Sequence, residues 1–312
     1  MGACRVQSAR MAEQSDISTA DKTTAQRPSW QHWAQDRFAA VLLSALRPLP
    51  YRWRIPVIGW LGGTVIGPLA GMRARIRDNL AYVMPDLPRA EVMRLCRKVP
   101  DNMARTMAEI FTGDEFLERA RDSVVEGTGL AALQEAHAQG RPVMLVTAHL
   151  GNYDAARGYL LAQGFNVAGF YMPMTNPAFN SRYVAAISHI GTPVFARGRE
   201  GLAHMLRFLR RGGMVGMVVD HYMAHGEIVD FIGKPARTAL SAAELALKYN
   251  ALLVPVYGIR NPDGISFRVR IEDPVPHSDP RTMTAHLNQS LETLVKTHMD
   301  QWMWSHRRWK NT

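Results

Sequence analysis

The chain is expected to fold as an α/β protein, a mostly parallel sheet flanked by helices, preceded by an N-terminal helical region associated with a membrane. Three observations lead there. From about Val124, short apolar runs alternate with amphipathic stretches long enough for crossover helices. Residues 55–72 carry no charge, and arginines stand on both sides of them. At 47% hydrophobic and 21% charged, 312 residues can bury a sizeable core.

Residues 1–29 are rich in Ser, Thr, Gln, Asp and Arg without apolar periodicity, and read as a disordered leader. They lack the apolar centre of a signal peptide, which argues against cleavage and secretion. Residues 30–120 form the helical region. Residues 38–46 are apolar, but Arg47 ends the run well short of a span. The uncharged run 55–72 contains five glycines and two prolines, unsuited to a straight transmembrane helix. Trp53, Trp60 and the flanking Arg52, Arg54, Arg73, Arg75 and Arg77 suit a segment lying in the lipid interface. The alternative is a buried helical hairpin. Helices are then expected at 75–83 and 89–97, separated by a turn at 84–88, with a third ending near Thr112-Gly113.

Residues 121–312 form the α/β domain. Strands are expected at 142–148, 166–171, 192–196, 214–220, 252–259 and 266–271. Helices are expected at 130–138, 153–161, 178–190, 200–211 and 239–249. Asn261-Pro262-Asp263-Gly264 joins the last two strands, which predicts an antiparallel hairpin at one sheet edge. A final helix, 281–303, ends in a basic aromatic tail.

Two cysteines, Cys4 and Cys96, exclude a disulfide framework and fit a reducing compartment. The net charge of +10 comes almost wholly from arginine, since only six of the 37 basic residues are lysine. Guanidinium groups suit anionic partners: nucleic acid, phospholipid headgroups or an acidic carrier protein. A genome rich in G and C would produce the same bias.

The most informative stretch is 141–154. An apolar strand ends near His149, Gly151 permits a turn, and Asn152 can cap a helix that opens with Tyr153-Asp154. An ionised Asp154 at that helix N-terminus could orient His149 as a general base. The alternative is a core histidine beside a capping aspartate. Ligands of parallel sheets sit at the carboxyl ends of the strands. Tyr171, Arg197 and Asp220 stand at three more such ends, and that convergence favours the catalytic reading. No Gly-x-Ser-x-Gly elbow, strand-end cysteine, phosphate loop or dinucleotide fingerprint occurs. Asp220, His221, His225 and Glu227 suggest a metal, but Gly226 and the absence of a helical pattern make His221 and His225 poor partners on one face. No metal or cofactor is therefore expected, and His149 would deprotonate a hydroxyl that attacks an activated acyl group directly. The run 301–310, with three tryptophans, would hold an anionic headgroup, stack nucleobases, or simply pack a helix end.

His149-Leu-Gly-Asn-Tyr-Asp154 resembles the histidine, four residues, acidic residue motif of the bacterial lipid A late acyltransferases, the lauroyl and myristoyl transferases. Arg77-Asp78-Asn79-Leu80, Met84-Pro85-Asp86-Leu87, residues 231–238 and residues 301–310 are similar to further family stretches, so the likeness spans about 35–310. It implies a glycerolphosphate-acyltransferase-like fold and an enzyme on the cytoplasmic face of the cell inner membrane. The donor would be an acyl carrier protein or CoA thioester, and the acceptor a lipid A precursor hydroxyl. His149 and Asp154 would be catalytic. Arg182, Arg197, Arg307 and Arg308 would serve an oxyanion or acceptor phosphate, and Asn152, Tyr171, Asp220 and Lys234 would bind substrate. Met172 stands where the family has arginine, with Arg182 or Arg197 as replacement. Asp220-His221-Tyr222 replaces the usual Asp-Gln-Asp. These departures open the acceptor to lysophospholipids or lyso-aminolipids. A non-catalytic membrane lipid-binding relative is the second class, and nucleic-acid binding ranks last because no nucleic-acid module is recognisable. Oligomeric state is not read from the sequence.

Overall fold

A computed structural model describes residues 30–310. The expected leader at 1–29, with Cys4, lies outside the described residues. The N-terminal helices are α1 (Trp30–Leu46), α2 (Tyr51–Leu61), α3 (Met72–Val83), α4 (Arg89–Ile110) and α5 (Asp114–Arg121). Between α2 and α3 the uncharged run continues as a π-helical turn, Gly62–Ile66, and a short turn, Gly67–Leu69. Its glycines have a steric reason. A Cβ at Gly62, Gly63 or Gly67 would strike the side chain of Ala104, the carbonyl of Arg97 or the ring of Pro100, so α2 and its continuation press directly against α4. The two helices expected after the 84–88 turn are one helix, α4, which runs straight through Pro100.

The α/β part follows as β1 (Val124–Glu126), α6 (Leu130–Ala138), β2 (Val143–Thr147), α7 (Tyr153–Ala162), β3 (Val167–Tyr171), α8 (Pro177–Ile190), β4 (Val194–Ala196), α9 (Arg199–Arg210) and β5 (Met214–Val218). After these come β6 (Glu227–Phe231), β7 (Lys234–Thr238), α10 (Ser241–Lys248), β8 (Leu252–Arg260), β9 (Phe267–Ile271) and α11 (Pro280–Thr297). Seven strands form one sheet in the order β1-β9-β8-β2-β5-β3-β4, parallel except between β8 and β9. The expected hairpin is present, but β1 pairs in parallel with β9 and forms the outer edge instead. A separate hairpin, β6–β7, escaped the sequence reading. Its two-residue turn is Ile232-Gly233, both at positive φ, and isoleucine is a poor signal for such a turn.

Helices cover both faces of the sheet. Leu133, Ala156 and Leu160 pack on one side, and Met205, Leu209, Ala243 and Leu287 on the other. A third cluster joins the helical region to the α/β part: Ile76, Leu80, Leu95 and Val99 meet Leu150, Tyr257, Trp302 and Trp304. Beneath it Glu109 of α4 and Arg260 of β8 form a buried ion pair, which Asn152 and Thr106 join.

α11 stops at Thr297, earlier than expected, and a 3₁₀ turn, Met299–Gln301, leads into an irregular strap. Trp302 bridges Leu150 antiparallel, drawing the strap across the end of β2. Trp302, Trp304 and Arg308 are almost wholly buried. The tryptophans of the run therefore pack inward, as the packed alternative expected, on an irregular strap instead of a helix end, while Arg307 and Lys310 stay exposed.

Candidate functional site

The strand order explains which rim residues meet. In the parallel pairing of β2 with β5, Thr147 lies opposite Val218. His149 and Asp220 each follow two residues later, so they leave the sheet side by side. Asp220 Oδ1 lies 2.8 Å from His149 Nδ1, and Oδ2 accepts the His149 backbone N–H at 2.9 Å. Trp302 Nε1–H also donates to Oδ2, at 2.9 Å. A carboxylate only accepts, so the proton of neutral His149 resides on Nδ1 and leaves the Nε2 lone pair free. Burial alone would push the Asp220 carboxyl up. The His149 charge and its hydrogen bonds outweigh burial and hold the group well below the usual carboxylate range.

The turn between β2 and α7 is built as its residues predict. Gly151 sits at φ 57°, and a Cβ there would meet the Gly258 carbonyl. Asn152 caps α7 by accepting the Asp154 N–H at 3.1 Å. Asp154 itself lies elsewhere than expected. Its Oδ1 accepts from Arg157 Nη1 at 3.4 Å, one helical turn on, and Oδ2 has no hydrogen-bond partner among the described residues. Asp154 therefore does not orient His149; Asp220 does. Burial raises the Asp154 carboxyl, with the Arg157 guanidinium opposing it.

His149 opens on a cavity of about 650 Å³. Seven methionines line it, together with Phe170, Ile187, Val218 and the rings of Tyr153, Tyr171 and Tyr183. Thioether side chains adapt to a flexible apolar chain better than a rigid wall would. Besides the tyrosines, the ionisable groups at the wall are His149, His221, Asp154, Arg157 and Arg197.

The other sequence candidates divide. Tyr171 and Arg197 line the cavity, and Arg197 Nη1 lies 4.0 Å from the Met172 sulfur. Arg197 thus holds its guanidinium beside the Met172 side chain at the cavity wall. Arg182 is taken up at 2.8 Å by Asp36 of α1 and does not line the cavity. Asn152 is fully buried, with its amide nitrogen on Glu109 and its oxygen on the Asp154 N–H, and does not line the cavity. Arg308 is buried and donates to the Arg237 carbonyl and the Thr238 hydroxyl. Arg307 is exposed, and Lys234 lies over the Tyr82 ring; neither lines the cavity.

The sequence reading missed a stack of imidazoles. The His149 and His221 rings lie 4.2 Å apart at 6°, and the His221 and His306 rings 4.2 Å apart at 20°. His149, Asp220 and His221 place ligand-type atoms within 4.8 Å of one another. Parallel stacked rings direct their lone pairs along parallel planes, so as they stand these rings do not converge on one tetrahedral ion. His225 and Glu227, also considered for a metal, are not in this group.

An imidazole and a carboxylate paired at the carboxyl rim of a parallel sheet, over an apolar cavity, form a site suited to proton transfer on a substrate with an apolar part. The bacterial lipid A biosynthesis acyltransferase model matches residues 24–311, and the chain belongs to that acyltransferase family. It is 25% identical over 263 residues to a lipid A biosynthesis acyltransferase of Haemophilus influenzae, covering 82% of this chain and 81% of that one. It is 26% identical over 273 residues to the lipid A biosynthesis lauroyltransferase of Escherichia coli, covering 84% and 87%. A phosphatidylinositol mannoside acyltransferase of Mycobacterium tuberculosis is 24% identical over 243 residues, covering 75% and 76%.

Proposed function

We propose that this acyltransferase moves a fatty acyl chain from an acyl carrier protein or CoA thioester to a hydroxyl of a lipid A precursor, with His149 as general base. The observation that carries this reading is the two-point hold of Asp220 on His149 at the wall of the apolar cavity. The acyl chain occupies the cavity. His149 Nε2 takes the acceptor hydroxyl proton as the oxygen attacks the thioester carbonyl, forming a C–O bond and a tetrahedral oxyanion. Collapse of that intermediate breaks the C–S bond, and the imidazolium returns the proton to the leaving sulfur, giving an ester and a free thiol. Asp220 stabilises the imidazolium between these steps. Arg197, the exposed guanidinium at the cavity wall, stabilises the oxyanion or receives an acceptor phosphate.

The same proposal seats the protein on the cytoplasmic face of the inner membrane. Trp60, Val65, Ile66 and Leu69 are exposed on the uncharged segment 55–72 and Trp53 just before it, with Arg52 and Arg77 exposed on either side. Apolar and indole groups at the surface with guanidinium neighbours suit an anionic lipid interface. Among the described residues no single helix is long and apolar enough to cross a membrane. The stretches Tyr51–Leu69 and Met72–Val83 pass that test only together, bent by 86°.

Met172 supports a second reading for the acceptor. It stands where the family resemblance expects arginine, and one relative is named for acylating a phosphatidylinositol mannoside. A lysophospholipid or lyso-aminolipid hydroxyl then replaces that of the lipid A precursor. The deciding experiment incubates purified protein with carrier-protein and CoA thioesters against each acceptor class and follows products by mass spectrometry. Transfer by the unmutated chain and none by His149→Ala is expected. Undiminished transfer by that variant overturns the mechanism. Lipid binding without turnover in the unmutated chain would make it a non-catalytic relative.

A further inference from the structure

One hydrogen bond at Nδ1 fixes where the His149 ring begins but not the plane in which it lies. A base must present its Nε2 lone pair along one line, so the plane matters as much as the anchor. Three features of the surroundings set that plane. His221 covers one ring face of His149 almost in parallel, at 4.2 Å and 6°. Tyr153 approaches the same imidazole edge to face, 5.6 Å away at 78°. Behind His221 stands His306, 4.2 Å further on and fixed at several points. Its Nε2 accepts the Tyr222 backbone N–H at 2.9 Å, its backbone N–H donates to Met303, and its carbonyl accepts from Asn79. A nitrogen that accepts an N–H carries no proton, so His306 backs the stack as a neutral ring.

We propose that His221 is a positioning residue for acyl transfer: stacked between His149 and the anchored His306, its ring sets the plane of the catalytic imidazole. The proposal rests on the reading of His149 as the base. It concerns a feature of this chain, because Asp220-His221-Tyr222 departs from the Asp-Gln-Asp that the family resemblance leads one to expect.

The charge state of the stack agrees with the role. Burial pushes His221 down to about 4. The charges that His149 and His306 carry when protonated, and the Arg308 guanidinium, add to that effect, and only Asp220 pulls the other way. The ring facing His149 is therefore uncharged at neutral pH. An imidazolium formed on His149 meets a neutral π-face rather than a second cation, as an aromatic neighbour to a cation should. His221 is half-buried and sits at the cavity wall, so it also closes one approach of water to His149.

The test compares His221→Phe, which keeps a flat ring, with His221→Leu, which fills similar space without one. Both are assayed beside the unmutated enzyme and His149→Ala, using carrier-protein thioester and the accepted lipid. Expected is a fall in kcat of about tenfold to a hundredfold for His221→Leu with KM within about twofold, and recovery of most of kcat in His221→Phe. In proton spectra, the ring-current shift of the His149 carbon-bound protons should persist in His221→Phe and vanish in His221→Leu. Equal kcat in the Leu variant and the unmutated enzyme, or equal loss in the Phe and Leu variants, overturns the positioning role while leaving His149 as base. Absence of turnover in the unmutated chain, or full turnover in His149→Ala, overturns the underlying reading and this proposal with it.

Discussion

Asp220 grips His149 twice, with one carboxylate oxygen on the ring and the other on the backbone N–H of the same residue. Ring and main chain are thus referenced to a single buried group, itself steadied by the Trp302 indole.

That relationship separates two carboxylates. Asp220→Asn places an amide where an acceptor must be and favours the wrong His149 tautomer, so kcat should fall by about a thousandfold or more with the fold retained. Asp154→Ala instead leaves the buried Arg157 guanidinium without its carboxylate, and should cost about 2–4 kcal/mol of stability. Steady-state kinetics with denaturant unfolding of each variant checks both. A kcat unchanged in Asp220→Asn would remove Asp220 from the mechanism.

The buried pair between Glu109 and Arg260 ties the helical region to the sheet. Arg260→Met strands a carboxylate that is fully buried, and unfolding free energy should drop by about 3–5 kcal/mol. Loss of less than about 1 kcal/mol in a denaturant titration would mean that the pair is not holding the two parts together.

Stability should also depend on pH through His221. Its ordinary value is 6.5, and the folded chain holds it at about 4, so between these the unfolded chain binds more protons. Stability then falls as pH drops through that window and is recovered as pH rises above it. His221→Phe removes this contribution. Its melting temperature should therefore decline less than that of the unmutated protein between pH 6.5 and pH 4. Parallel melting curves would contradict the burial of His221 as an uncharged ring.

The proposed seating on a membrane assigns the lipid contact to exposed indoles. Trp53 is 60% exposed and Trp60 57%. Replacing both with serine should weaken binding to anionic vesicles by about tenfold or more, without altering the melting temperature. Sedimentation with vesicles measures it, and unchanged binding would move the lipid contact elsewhere on the protein.

Much of this architecture could be seen in the residues alone. The Gly151 turn, the Asn152 cap and the rim positions of His149, Tyr171, Arg197 and Asp220 follow from local chemistry, which sequence records. The partnership of His149 with Asp220 does not. It depends on β5 lying between β2 and β3, a non-local fact, while Asp154 was the nearer carboxylate along the chain. Asn152 resembled a site residue for a similar reason, since its claim rested on proximity and Glu109 was out of view. The tryptophan run looked like a helix end because nothing local signals the Leu150 bridge that holds Trp302 outside the helix. The β6–β7 hairpin escaped because Ile232-Gly233 lacks the usual asparagine or aspartate.

The position of Trp302 has a temporal meaning. It is 82 residues beyond Asp220 in the chain. At about 5–20 residues per second, a ribosome finishes Asp220 on the order of ten seconds before Trp302. Through that interval the segment that carries Trp53 and Trp60 is already made, while the indole that steadies the carboxylate is not. On the proposed membrane seating, a nascent chain would thus carry its lipid-facing indoles before its site is complete, and synthesis itself would order attachment ahead of chemistry.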